Sequence, residues 1–227
     1  MCDPMKRLSN PLALAVLASL FERPMHPYEM AATLKSRHKH ESIKLRYGSL
    51  YTVIELMMER GYISAVETTR DGKRPERTVY TLTAAGHEEL RDWMRELLSE
   101  PAKEFPQFEA ALCLLPVLPP DEAAALLRSR AGRLASKCAQ MKTQLSHIAG
   151  QDLSVIAGDE KLPPQLRGQK FPPIFMVESE YRLALAKAEL DFVNDLVRRI
   201  TEEGWGPVGM WRELQALMAG QHPSGEA

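Results

Sequence analysis

The sequence predicts a mostly α-helical chain with one small β-hairpin, divided between a short-element N-terminal half and a long-helix C-terminal half. Three observations predict it. Short apolar helical stripes with clear stop signals fill residues 9–99. Two β-rich runs within that region flank an Asp-Gly turn signal. Two heptad seams occupy residues 121–204.

The first helix opens at Asn10-Pro11, an N-cap residue followed by a proline tolerated at the first helical position. Leu14, Leu17, Ala18 and Phe21 then fall at helical spacing and read as its buried face, and Pro24 ends it. Pro27 starts a second helix with Met30, Ala31 and Leu34 inward. A third runs from about Tyr47 to Arg60, with Leu50, Val53, Ile54 and Met57 as its buried stripe and Gly61 just past its end. Two strands follow, Tyr62–Thr68 and Thr78–Thr83, with a basic tip between them at Arg70-Asp71-Gly72-Lys73-Arg74-Pro75. Thr83 caps a fourth helix, Ala84 to Ser99, with Leu90, Trp93, Met94 and Leu97 on one face. Three helices, a hairpin and a helix are the order of a winged helix-turn-helix domain.

Residues 100–120 are punctuated by proline and read as a connecting segment. Beyond them, Leu127, Ala131, Leu134, Cys138, Met141, Leu145 and Ile148 alternate steps of four and three. Leu183, Ala186, Leu190, Val193, Val197 and Ile200 do the same. Both are coiled-coil seams. A second apolar row, Ala184, Ala188 and Phe192, runs beside the latter. The expected division is therefore a winged helix-turn-helix domain over 1–99, a connection over 100–120, a helical dimerisation domain over 121–210 and a tail over 211–227. Leu127, Leu134, Met141, Leu183, Leu190 and Val197 are the expected dimer contacts, giving a C2 homodimer.

Composition excludes several functions. The 29 basic and 30 acidic residues leave a net charge of −1, so bulk charge does not argue for nucleic acid. The three cysteines, Cys2, Cys113 and Cys138, show neither zinc spacing nor a disulfide framework. The apolar run from Leu12 to Phe21 is too short to span a bilayer, which predicts no membrane partner and a protein of the reducing cytoplasm. No phosphate loop, dinucleotide fingerprint or hydrolase elbow occurs, so neither an enzyme nor a cofactor is expected. His38 and His40 lie among basic residues with no third ligand evident, and read as solvated rather than metal-binding.

The motifs have a family likeness. Asn10-Pro11-Leu12-Ala13-Leu14-Ala15-Val16-Leu17, His26-Pro27-Tyr28-Glu29-Met30, Tyr47-Gly48-Ser49-Leu50-Tyr51, Glu59-Arg60-Gly61-Tyr62-Ile63 and Arg77-Thr78-Val79-Tyr80-Thr81-Leu82-Thr83-Ala84-Ala85-Gly86 occur in order and resemble the PadR family. Glu180 to Leu190 is similar to the helical C-terminal region of its longer subgroup. The resemblance implies transcriptional control by a dimer, usually repression, relieved in many members by a small molecule. One departure is Thr52, where the family often has proline, so operators of relatives are not carried over.

In helix-turn-helix geometry the third helix enters the major groove by its N-terminal end. Lys44, Arg46, Tyr47, Gly48, Ser49 and Thr52 sit at that end, while Glu55 and Glu59 sit late, where phosphate would repel them. Tyr51 either contacts phosphate or packs under the second helix. Tyr28 opens the second helix and offers a phenol to phosphate. Lys73, Arg74 and Arg77 form a basic wing. From Lys35 to Arg77 there are ten Lys/Arg against six Asp/Glu, a local excess of +4 in a chain of net −1. The expected partner is a double-stranded DNA operator; the alternative is a winged-helix module that binds protein. Trp93, Phe105, Phe108, Phe171, Phe175 and Met176 either line a site for a small aromatic ligand or form ordinary core.

Overall fold

A computed structural model describes residues 10–37, 39, 42–43, 46–69, 77–153, 164–202 and 206–221. The chain divides into two compact units, Met1–Glu104 and Phe105–Ala227.

The first unit holds α1 (Pro11–Glu22), α2 (Pro27–Ser36), α3 (Tyr47–Glu59), β1 (Ile63–Thr69), β2 (Arg77–Leu82) and α4 (Ala84–Ser99). The Asn10 side chain accepts from the Leu12 N–H at 3.0 Å, making the expected cap on α1. The buried face of α1 differs from the expected one. Leu12, Ala13, Val16, Leu17 and Leu20 are inside, whereas Ala18 and Phe21 are exposed. This helix is apolar almost all round and touches α2, α3, α4 and β2, so periodicity could not choose one face. The outer Phe21 ring meets His87 of α4 edge-on, with centroids 5.6 Å apart.

The α3 stripe is buried as its spacing predicts: Leu50, Val53, Ile54 and Met57 are all in the core. Gly61 adopts a left-handed φ of 69°. Its N–H donates to the Met58 carbonyl at 2.9 Å, and the Tyr62 N–H donates to the Met57 carbonyl at 3.0 Å. This is the Schellman arrangement, and it turns the chain from α3 into the hairpin. Gly61→Ala is expected to lower stability by about 1–2 kcal/mol, the cost of a Cβ in the left-handed region. Since nothing lies within 4 Å of the added carbon, the loss should appear in denaturant midpoint without loss of native structure.

The strands pair antiparallel, Ile63 with Leu82 through Thr69 with Arg77, with a bulge between Ala65 and Glu67. Met25 adds a short third pairing, exchanging both backbone hydrogen bonds with Tyr80 at 3.1 Å. This bridge, unforeseen from the sequence, has a readable cause. Met25 lies between Pro24 and Pro27, where helix cannot continue and extended backbone is favoured. The Thr83 hydroxyl accepts from the Gly86 N–H at 3.1 Å, capping α4, and contacts the Gly61 and Tyr62 carbonyl oxygens at 2.7 and 3.0 Å. On α4, Leu90 and Trp93 join the core, but Met94 and Leu97, expected inside, are exposed.

The second unit holds α5 (Gln107–Cys113), a 3-10 turn (Leu115–Val117), α6 (Pro120–Gly150), α7 (Val177–Thr201) and α8 (Gly206–Gln221). Two short 3-10 turns, Pro164–Leu166 and Pro173–Phe175, precede α7. The stretch expected to be a mere connection thus contains α5, and α8 extends to Gln221 through part of the expected tail. Both have apolar side chains to bury: Phe108, Leu112 and Leu115 pack on the C-terminal core, as does Trp211. The Trp211 indole donates to the Leu118 carbonyl at 2.9 Å.

Helices α6 and α7 pack along their length. Ala123, Leu127 and Leu134, early in α6, meet Val193, Leu196 and Ile200, late in α7, while Cys138 and Met141 meet Leu183 and Ala186. The pair is therefore antiparallel. The seam expected to meet a partner chain thus packs largely within one chain. Leu127, Leu134, Met141 and Leu183 are buried within one chain, and Leu190 and Val197 pack against the same core. Two heptad seams on one chain, joined by a connection long enough to reverse direction, satisfy each other first. What remains outside is the neighbouring row on α7: Tyr181, Leu185 and Phe192 are exposed, as are Ala184 and Ala188 between them. No helix among the described residues is long and apolar enough to cross a membrane.

Candidate nucleic-acid interface

The N-terminal turn of α3 is open. Its cap residue, Arg46, is extended and exposed, and no side chain caps the helix. The N–H groups of that turn therefore face outward without a side-chain acceptor. Gly48, Ser49, Tyr51 and Thr52 are exposed on the side opposite the buried stripe. Glu55 and Glu59 are exposed further along. The helix thus presents hydroxyls and partial positive charge at one end and carboxylates at the other, as its sequence predicts. Tyr47 is the first residue of α3, and its side chain lies outside the described residues, as do Lys44, Lys73, Arg74 and the Arg77 side chain. Arg77 opens β2 opposite Thr69.

Two local bonds refine the chemistry. The Thr52 hydroxyl donates to the Gly48 carbonyl at 3.2 Å, one turn back. Its proton is engaged, so outward it offers lone pairs and a methyl group. At the start of α2, the His26 Nδ1 accepts from the Tyr28 N–H at 3.1 Å. That amide is satisfied internally, leaving the exposed phenol of Tyr28 to face solvent. Tyr51 is about half exposed, at 49%, so it does not pack away under α2.

The approach between α1 and α2 is held by ion pairs. Arg23 pairs with Glu29 and Arg37 with Glu22. The hydrogen bond from Arg23 holds the Glu29 carboxyl below the usual carboxylate range. Glu29 sits beside Tyr28, so this pairing offsets the one acid in the first turn of α2.

The aromatic residues expected near the junction are divided between the two units. Trp93 belongs to the N-terminal core. Phe108 packs on the C-terminal core, and the Arg130 guanidinium lies over its ring at 3.7 Å. Phe105 is exposed. Phe175 is exposed too and tilts against Phe171, with centroids 5.7 Å apart, and Met176 beside it is buried. His38 and His40 lie outside the described residues.

Three helices, a hairpin tied to the α1–α2 segment and a following helix define a winged helix-turn-helix domain with an open recognition-type helix. Residues 16–92 match the model of the Transcriptional regulator PadR-like family. No curated protein matches the chain. Solved structures do. Bacillus subtilis PadR in complex with operator DNA aligns with a TM-score of 0.61 at 18% identity, covering 84% of this chain and 99% of that one. The same protein in complex with p-coumaric acid aligns at 0.60 and 17%, covering 89% and 100%. The Vibrio cholerae virulence activator AphA aligns at 0.55 and 15%, covering 91% and 99%. At these identities the likeness concerns the fold, and it extends through the C-terminal helices.

Proposed function

We propose that this protein is a sequence-specific DNA-binding transcriptional regulator that acts as a repressor, binds a pseudopalindromic operator as a homodimer and is released by a small molecule. The observation that carries this reading is the uncapped, exposed first turn of α3, with Ser49 and Thr52 outward and no acid before Glu55. The match of residues 16–92 to the PadR-like family model and the likeness of the fold to a protein crystallised on operator DNA support it. In this reading Arg46, Tyr47, Gly48, Ser49 and Thr52 meet the major groove. Tyr28, Lys44 and Tyr51 meet phosphates, and Lys73, Arg74 and Arg77 meet the flanking backbone from the wing. Dimerisation uses the outer row of α7 rather than the buried seam.

The test is a titration of purified protein against its own promoter fragment and against random DNA at several salt concentrations. Ser49→Ala and Thr52→Ala are expected to relax preference at one or two base pairs per half-site, each at about 1–3 kcal/mol. With its proton held by Gly48, Thr52 should favour a base that donates, an adenine or cytosine amino group, or a thymine methyl. Lys73→Ala with Arg74→Ala should weaken specific and random DNA alike and flatten the salt slope by about one unit for each phosphate deprived of its cation. Failure to bind any promoter fragment more tightly than random DNA would leave the domain as a protein-interaction module. Reporter expression with and without the gene gives the sign of regulation.

A further inference from the structure

The C-terminal unit carries a groove of about 470 Å³, within the size range of small-molecule sites. Its floor is aliphatic, built from Leu112, Leu115, Leu118, Leu127 and Leu134. Phe108 is the one aromatic side chain among the described lining residues, and its ring face is already occupied by Arg130. Little flat surface remains for an aromatic ligand to stack on.

One rim of the groove is cationic. Arg130, Arg133 and Lys137 follow at steps of three and four along α6 and so share a face. Arg130 is neutralised by Glu189 of α7, its Nε donating at 2.6 Å. Arg133 donates to the Ser129 hydroxyl at 2.9 Å, and among the described residues no acid is paired with Arg133 or Lys137. The rim therefore keeps two positive charges beside an apolar trough. A second copy seated on the groove across a two-fold axis would bring the same cations against each other, which is unfavourable.

We propose that this groove binds an anionic amphiphile with an aliphatic body, of the medium-chain carboxylate kind. Leucine side chains take the chain, and Arg133 and Lys137 take the head by charge-assisted hydrogen bonds. The groove wall is braced from outside: Trp211 of α8 donates to the Leu118 carbonyl and Gln215 to the Pro116 carbonyl. Occupancy thus bears on the packing of α8. The inference deepens the effector part of the proposed function by naming the ligand class, and its test involves no DNA.

The full-length protein is titrated by calorimetry with sodium decanoate, decanol, decylammonium and cinnamate, all below micelle concentration. The expected result is one decanoate per chain, bound at least about tenfold tighter than the neutral and cationic analogues. The double variant Arg133→Gln, Lys137→Gln should lose that advantage by about tenfold or more. Both residues are exposed, so its circular dichroism should match the parent. Equal affinity for decanol, or a double variant that binds decanoate unchanged, would overturn the proposal. So would tighter binding of cinnamate, which would restore an aromatic effector. Self-association abolished by Leu126→Arg in the groove lining would assign the groove to a second copy and overturn it likewise. A protein that binds decanoate but no promoter fragment would refute the DNA-binding reading and leave this one standing.

Discussion

Gly86→Ala is expected to unfold the N-terminal domain or leave it only marginally stable. Gly86 lies in the first turn of α4, where the helix crosses the start of the hairpin. A Cβ built there falls 2.1 Å from the Tyr62 carbonyl oxygen and 2.9 Å from Leu82 Cδ1. The leucine could yield, but the carbonyl is backbone, fixed by bonds on both sides. The Thr83 N–H donates to that oxygen at 3.0 Å, and the Thr83 hydroxyl contacts it at 3.0 Å while accepting from the Gly86 N–H. Moving the oxygen would disturb the α4 cap and the hairpin start together. Ordinary overpacking costs about 1–3 kcal/mol; here the relaxation is blocked, and a loss of about 4 kcal/mol or more is expected. Gly48→Ala is the control within the same domain. Nothing lies within 4 Å of its Cβ, so it should change stability by at most about 1 kcal/mol, in the favourable direction. Chemical denaturation followed by Trp93 emission measures both. A Gly86→Ala protein with parental midpoint would mean that α4 does not approach the hairpin so closely.

In the proposed homodimer, Phe192→Arg is expected to leave a folded monomer. Phe192 is 43% exposed and belongs to neither packed cluster of the α6–α7 pair. With Tyr181, Ala184, Leu185 and Ala188 it forms an apolar stripe at helical spacing on the outside of α7. Such a stripe, continuous over several turns, is the surface a partner copy would cover. A guanidinium in its middle would be buried unpaired if the dimer formed, so the dimer should not form. Operator affinity should then fall by about 10²–10⁴-fold, the avidity that two linked recognition helices have over one. Stability of the monomer should change little, because the α6–α7 core does not use this residue. Sedimentation against concentration, together with the promoter titration, separates the outcomes. A variant that remains dimeric at parental affinity would place the interface elsewhere. Met141→Arg, by contrast, should unfold the helical pair, because Met141 is inside the chain.

Much of this protein can be read from local signals. Asn10 and Thr83 cap their helices as cap residues do, and Gly61 takes the left-handed position that a helix end before a hairpin requires. The α3 stripe at Leu50, Val53, Ile54 and Met57 needed only periodicity, because polar residues fill the other side. The open end of α3 was legible for the same reason. Where both sides of a helix are apolar the signal fails, as on α1, and where an amphipathic face outlasts the domain it packs on, as at Met94 and Leu97, the outer turns stay in solvent. The groove beside α6 was not legible: Arg130, Arg133 and Lys137 share a helical face, but their leucine neighbours on α5 and the 3-10 turn lie more than a dozen residues away along the chain.

The sequence by itself left α5 and α8 unread, and determined the elements of the N-terminal domain and the two long helices, their order and much of their chemistry, including that hydroxyls precede acids along α3. These follow from backbone sterics, capping and side-chain period, all of which act over a few residues. Only the tertiary structure decided which apolar surfaces pair. A heptad seam states that it will be covered, not by what, and here α6 and α7 cover each other within one chain, leaving Tyr181, Leu185 and Phe192 outside. Likewise only the fold brings Met25 to Tyr80, Gly86 to the Tyr62 carbonyl and Trp211 to Leu118. Those pairings join residues far apart in sequence, and their energies depend on the closure of the whole chain around a shared core.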